Sequence, residues 1–210
     1  MIRFLRRKLI NYICKGWSTK NQWHLFHKII KENLNIKNLA MLGVYRGRDL
    51  AYLCCALKHN NIKNFKVYAL DVFDDVPCDD WPEEFKNKSW QEGFSIPPPS
   101  LEKSKLIINL LGFRKNVIFI KGDIKELEKI DTKLDFVYID IAHDYKSTIR
   151  AIDISVKMGS ENLVLLGDDY ADQETKSTPW GVIKAVEESF SKTKIHLNWF
   201  WESKKKYYKR

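Results

Sequence analysis

Phe136-Val137-Tyr138-Ile139-Asp140-Ile141-Ala142-His143-Asp144-Tyr145 is the stretch on which the fold turns. Phe136 to Ile139 form a β-prone apolar run, as a strand buried on both faces of a parallel sheet requires. Polar chemistry begins where that run stops. Ligands of open α/β sheets bind beyond the carboxyl ends of the strands, so Asp140, His143 and Asp144 stand where a site is expected. Asn162 to Leu166 repeats the pattern and runs into Gly167, Asp168, Asp169 and Tyr170. If the two strands are neighbours, their ends lie about 5 Å apart. The carboxylates of Asp140, Asp168 and Asp169 then converge on one small volume that a hard cation would fill. Turn and cap chemistry around Gly167 is the plainer account of the acidic pair.

Working outward, strand and helix signals alternate, which argues for a parallel sheet. Strands are expected at Leu39–Val44, Lys66–Phe73, Asn116–Ile120, Leu134–Asp140 and Leu163–Leu166, with a late one at Ile195–Trp201. Helices are expected at Arg48–Lys58, Leu101–Leu111, Lys146–Lys157 and Pro179–Phe190, after two N-terminal ones. In the first of these, Ile2, Leu5, Leu9, Tyr12 and Ile13 form a stripe among Arg3, Arg6, Arg7 and Lys8. That basic amphipathic helix is suited to docking on the body or a second subunit, or to lying on a membrane surface. The second, Asn21 to Leu34, carries Trp23, Phe26, Ile29, Ile30 and Leu34 on one face. Asp74 to Ser100 breaks the alternation and is too long for an ordinary connection. Its Trp81, Trp90 and Phe94 among acidic residues read as a packed lid. The expected organisation is residues 1–36 as N-terminal helices, 37–203 as the main domain with the lid at 74–100, and 204–210 as a basic tail or edge strand.

At 210 residues and 44% hydrophobic content the chain can bury one sizeable core. The net charge of +9 is unevenly placed: residues 1 to 15 and 204 to 210 each carry five Lys/Arg and no acid, and the rest carries 26 basic against 27 acidic residues. The body is near neutral, which counts against a dedicated nucleic-acid binder. Cys14, Cys54, Cys55 and Cys78 form no C-x-x-C pair, so reduced thiols and a cytoplasmic protein, with or without peripheral membrane contact, are expected. Arg6, Arg7 and Lys8 interrupt any signal-peptide core, and no stretch approaches a transmembrane span.

Gly43-Val44-Tyr45-Arg46-Gly47 follows the first strand, where glycines let a backbone approach a ligand and expose helix N-terminal amides. The next strand ends in Asp71-Val72, where an acid can accept hydrogen bonds from ribose hydroxyls. The third runs into Gly122-Asp123, and Asp123 is placed either to receive an adenine amino group or to cap a helix.

LGVYRGRD, VYALDVFDD, FVYIDIAHDY, LLGDDY and GVIKAVEE together resemble the successive motifs of class I S-adenosylmethionine-dependent methyltransferases, over roughly residues 38 to 190. The likeness is greatest to the group that O-methylates sugars, polysaccharides and macrolides. It implies a Rossmann-like α/β fold, a mostly parallel seven-stranded sheet between helices. It further implies S-adenosylmethionine as cofactor, Gly43 to Gly47, Asp71, Val72, Gly122 and Asp123 around it, and Mg2+ on Asp140, Asp168 and Asp169. Two departures stand out. The family has an acid two places before the first glycine, where this chain has Met41, and Ser or Thr where it has Asp49; Asp49 is the candidate for partial compensation.

Methyl transfer to oxygen needs a deprotonated hydroxyl in line with the donor. A metal could hold two substrate oxygens and lower the pKa of one, with Asp140 in the catalytic group and His143 taking the proton; His143 could instead only bond Asp140 or cap the next helix. Asp144 is expected to be exposed. The acceptor implied is a glycan precursor or similar polyhydroxylated small molecule, in a monomer or homo-oligomer. Competing readings are a cofactor-binding module of the same fold without turnover and an RNA-directed methyltransferase working through the basic tails. Against a nicotinamide-dependent sugar dehydrogenase or epimerase, the chain lacks a G-x-G-x-x-G and a Tyr-x-x-x-Lys pair after the fourth strand.

Overall fold

A computed structural model describes residues 2–14, 16, 18–75, 88–170 and 181–210. Seven strands form one sheet: β1 (Asn38–Leu42), β2 (Lys66–Asp71), β3 (Val117–Lys121), β4 (Leu134–Ile139), β5 (Gly159–Gly167), β6 (Lys194–His196) and β7 (Phe200–Lys204). Their order is β3-β2-β1-β4-β5-β7-β6. The first five are parallel, and β7 runs antiparallel to both β5 and β6.

The sheet is buried on both faces because alternate side chains of its central strands enter different cores. In β4, Phe136 and Tyr138 join one core, while Leu134, Val137 and Ile139 join the other. In β1, Leu39 and Met41 face the first, Ala40 and Leu42 the second. The first layer is built by α1 (Ile2–Ile13), α2 (Lys20–Glu32), α3 (Arg48–His59) and α5 (Leu101–Leu110). The second is built by α6 (Tyr145–Met158) and α7 (Val182–Ser189), with a 3-10 turn at Ile124–Lys129. Between β2 and α5 lies the short α4 (Trp90–Phe94), capped by Ser89.

Three sequence expectations are corrected here. In α1 the docked stripe is Ile10, Ile13 and Cys14, whereas Leu5, Leu9 and Tyr12 face outward; the helix is rotated because its C-terminal turn must meet α3. The late strand Ile195–Trp201 is a hairpin. Leu197 and Asn198 both take positive φ (57° and 53°) at the centre of a turn that the Trp199 amide closes onto His196 O at 3.1 Å, and β6 and β7 pair across this three-residue loop with His196 opposite Phe200. Lys204 is the last residue of β7, and residues 205–210 are neither a further edge strand nor a frayed tail. They form a 3-10 turn at Lys205–Tyr207, after which Tyr208 packs on Phe190 and donates to Asp153 at 2.7 Å. The described parts of the two basic segments therefore lie on opposite faces of the sheet.

Cys14, Cys54 and Cys55 are buried free thiols, and burial raises the pKa of each. Cys78 lies outside the described residues. No helix among those residues is long and apolar enough to cross a membrane.

Candidate active site

The ends of β1, β4 and β5 meet at one point. The Asp140 amide donates to Leu42 O at 2.8 Å and the Asp168 amide to Ile139 O at 3.1 Å, so each strand end pins the next. Gly43, at φ +86°, passes so close that a Cβ there would sit 1.6 Å from the Asp140 carbonyl oxygen. That crossing requires glycine.

Asp169 adopts φ +59°, a left-handed conformation that Asp tolerates better than most residues, and this turns its side chain away from that of Asp168. Asp169 Oδ2 then lies 3.1 Å from His143 Nδ1. One ligand atom from each of Asp140, His143 and Asp169 falls within 4.8 Å of the others. Asp168 turns inward instead. Its Oδ2 accepts from Tyr138 at 3.1 Å and from Gln22 Nε2 of α2 at 3.3 Å, and its Oδ1 accepts from the Asp169 amide at 2.8 Å. Of the three aspartates read as metal ligands, two point into the cluster and the third lies directly behind it.

Negative charge is in excess here. Burial, then the charges of Asp168, Asp169, Asp49 and Asp71, hold the Asp140 carboxyl well above its usual range. Burial and the charge of Asp169 raise Asp168 to about 7, and burial alone raises Asp169 to about 6. His143 is pushed down to about 4 by burial. At neutral pH its ring is uncharged and offers no cation to balance the carboxylates. A bound cation would.

Beside this cluster, the first loop is clamped from β2. Asp71 Oδ2 accepts from the Val44 and Tyr45 amides, both at 2.7 Å, and Oδ1 accepts from the Phe73 amide at 2.8 Å. Each carboxylate oxygen accepts two bonds, so Oδ1 retains room for one ligand hydroxyl. Val72 is exposed next to it, and the Gly122 amide bonds Asp71 O at 3.0 Å. Asp123 caps the 3-10 turn through Lys125 N and pairs with Arg150 at 2.8 Å, which is the capping alternative for that residue. Asp144 caps α6 through Ser147 N and keeps Oδ2 buried, contrary to the exposure expected. Met41 is fully buried in the first core and brings no polar group to the site.

The described end of the lid fastens to the same loop. Tyr45 donates to Pro97 O, Arg46 to Pro98 O at 2.7 Å, and Ser100 N to Tyr45 O at 2.9 Å. Trp90 lies between Tyr45 and Phe94, tilted 42° and 41° from their rings at centroid distances of 5.6 and 5.1 Å. Trp81, with the lid acids Asp79, Asp80, Glu83 and Glu84, lies outside the described residues, as do Thr178, Pro179 and Trp180.

Sequence reasoning missed Gln22, Tyr138 and Ser18. A tyrosine inside an apolar strand needs a partner for its hydroxyl, so Tyr138 carried a signal. Gln22 and Ser18 carried none, because each reaches a residue far along the chain: Gln22 bonds Asp168, and Ser18 bonds Asp49 at 2.7 Å.

A parallel sheet closed by an antiparallel hairpin, with a glycine loop after β1 and acids at the ends of β2, β4 and β5, defines the class I S-adenosylmethionine-dependent methyltransferases. The chain belongs to the methyltransferase domain family, which matches residues 41–170. Among solved structures it is similar to the O-methyltransferase NovP (16% identity over 88% of this chain and 79% of that one, TM-score 0.68). It is also similar to TomG of Streptomyces achromogenes, an O-methyltransferase involved in tomaymycin synthesis, solved with S-adenosylmethionine (13%, 89% and 80%, TM-score 0.61). A Bacillus cereus O-methyltransferase in complex with S-adenosylhomocysteine is a third (12%, 96% and 88%, TM-score 0.62). At these identities the likeness is one of fold. A search of curated protein sequences finds no match.

Proposed function

We propose that this methyltransferase methylates a hydroxyl oxygen of a sugar or similar polyhydroxylated small molecule, assisted by a divalent cation. The convergence of Asp140, His143 and Asp169 beyond the strand ends, where carboxyls crowd closely enough to hold their protons above the ordinary range, carries this reading.

The donor set fits a cation. Asp140 and Asp169 would hold it, and the third position falls to Asp168 or His143. Magnesium prefers oxygen ligands, which favours Asp168 once its bonds from Tyr138 and Gln22 are given up; imidazole suits manganese or zinc equally well. Such an ion would polarise a bound hydroxyl and lower its pKa. S-adenosylmethionine, when bound, supplies an electrophilic methyl group.

The remaining chemistry belongs to the chain. His143, neutral because buried, has a ring nitrogen free of charge with which to take the hydroxyl proton. Asp71 fixes the first loop and offers Oδ1 to a ribose hydroxyl. Trp90, Tyr45 and Phe94 present flat apolar faces against which a sugar ring can lie. The aromatic lid edge, with Asp74 and Asp75 nearby, favours neutral acceptors over strongly anionic ones.

Calorimetric titration of S-adenosylmethionine and of Mg2+ into the protein and into Asp169→Asn tests this, followed by transfer of labelled methyl to a panel of sugars. Both should bind, metal heat should vanish with Asp169→Asn, and transfer should stop on chelation. Metal heat lost in Asp168→Asn but kept in His143→Ala assigns the third ligand to Asp168; the opposite pattern assigns it to His143. Transfer indifferent to chelation removes the metal from the reading, and a donor that does not bind removes the reading.

A further inference from the structure

Asp49 is the buried carboxylate for which neither the fold nor the proposed metal site has a use. It lies in the first turn of α3, two residues after Gly47, and is 9% exposed. Its Oδ2 accepts from Ser18 at 2.7 Å, whereas its Oδ1 is buried without a hydrogen-bond partner among the described residues. The adjacent Arg48 does not neutralise it by contact. That guanidinium is turned to the carbonyls of Cys14, Gly16 and Ser18, with Nε on Cys14 at 2.7 Å and Nη1 on the other two at 2.7 and 2.8 Å. The other charges that bear on Asp49 come from Asp168, and it bears in turn on Asp140; both are repulsive. A carboxylate oxygen left in this state is costly unless something cationic is meant to meet it.

Topology says what that is. Asp71 marks the end of β2 and the metal cluster marks the ends of β4 and β5, with β1 between them. A donor whose nucleoside end is held at β2, and whose methyl must reach the cluster, extends across β1, and the helix that starts after β1 is α3. Its amino-acid end therefore comes to the first turn of α3. Met41, the other side chain at the end of β1, is sealed in the core. We infer that Asp49, through its unpartnered Oδ1, accepts a hydrogen bond from the α-ammonium group of the methyl donor. This rests on the methyltransferase reading of the site and adds to it the residue that recognises the donor's amino-acid end.

The test is calorimetric binding of S-adenosylhomocysteine, which has that ammonium, and of 5′-methylthioadenosine, which lacks it. Asp49→Asn preserves shape and can still accept from Ser18; its thermal unfolding is recorded alongside, and Asp49→Ser serves if it does not fold. The expected result is a loss of about tenfold or more for S-adenosylhomocysteine, with 5′-methylthioadenosine held within about twofold. Ser18→Ala, which keeps the carboxylate but removes the bond to its Oδ2, should weaken S-adenosylhomocysteine less than Asp49→Asn does and leave 5′-methylthioadenosine within about twofold. Equal losses on the two ligands, in Asp49→Asn or in Ser18→Ala, make Asp49 an anchor for the N-terminal segment and overturn the inference. Unchanged binding in Asp49→Asn overturns it alone. Failure of the unaltered protein to bind either ligand overturns the cofactor reading beneath it.

Discussion

Asp168 and Asp169 are neighbours in the chain and part in space. The positive φ of Asp169 sends one carboxylate to His143 and the other back to Tyr138 and Gln22. The acids at the strand ends were legible because strand ends are where an α/β sheet keeps its polar groups. Which of them would face the cluster was not, since a single dihedral decides it. Gly43 was legible only as part of a loop, yet its missing Cβ is what lets the chain leaving β1 pass the Asp140 carbonyl beyond β4. Gly43→Ala would drive a methyl into the Asp140 carbonyl at 1.6 Å, a backbone atom that cannot rotate aside. Denaturant unfolding should show a loss of about 4 kcal/mol or more, or no folded protein. A loss below about 1 kcal/mol would mean the crossing is looser than described.

At the scale of elements, the five parallel strands and their helices were readable from apolar runs and turn residues, because burial on both faces leaves no other pattern. The β6–β7 hairpin was hidden because its turn is Leu197-Asn198, and leucine is a poor sequence signal for positive φ. The helix α1 was readable as a helix but not in its rotation, since apolar residues lie on both of its sides and only contact with α3 and α5 chooses between them. Glycine has no penalty at Leu197's conformation, and Leu197 is 59% exposed, so little packing is lost. Leu197→Gly should stabilise the protein by about 1 kcal/mol in chemical denaturation. Destabilisation would show that the exposed leucine makes a contact worth more than the strain.

Across the whole molecule, the carboxylate excess ties stability to pH. Asp49 and Asp168 fold with pKa values of about 7 and Asp169 of about 6, against an ordinary 3.8, and Asp140 is raised as well. Raised carboxyl pKa values mean that the folded state binds more protons than the unfolded one between roughly pH 4 and pH 7. Stability therefore falls as pH rises through that window. His143, lowered from 6.5 to about 4, acts in the opposite sense over much of the same range but is one group against four. Thermal unfolding of the metal-free protein between pH 4.5 and 7.5 should show the melting temperature dropping toward neutrality, and saturating divalent cation should flatten the drop. A profile that rises with pH, or that the cation leaves unchanged, would contradict the charge balance described.

The placement of the two basic segments also limits how the molecule can meet a large anionic object. One segment rides on α1 over the first layer, the other closes the second layer beside α6 and α7, with Arg210 near Asp153 and Glu188. With the sheet between them, a flat surface that receives one turns its back on the other. The two clusters cannot add their attractions on a single plane, so no gain from bivalent engagement is available there. Arg6, Arg7 and Lys8 on one side and the cations of residues 204–210 on the other thus behave as two separate sets, and a salt titration against a planar polyanion should report the slope of one set alone.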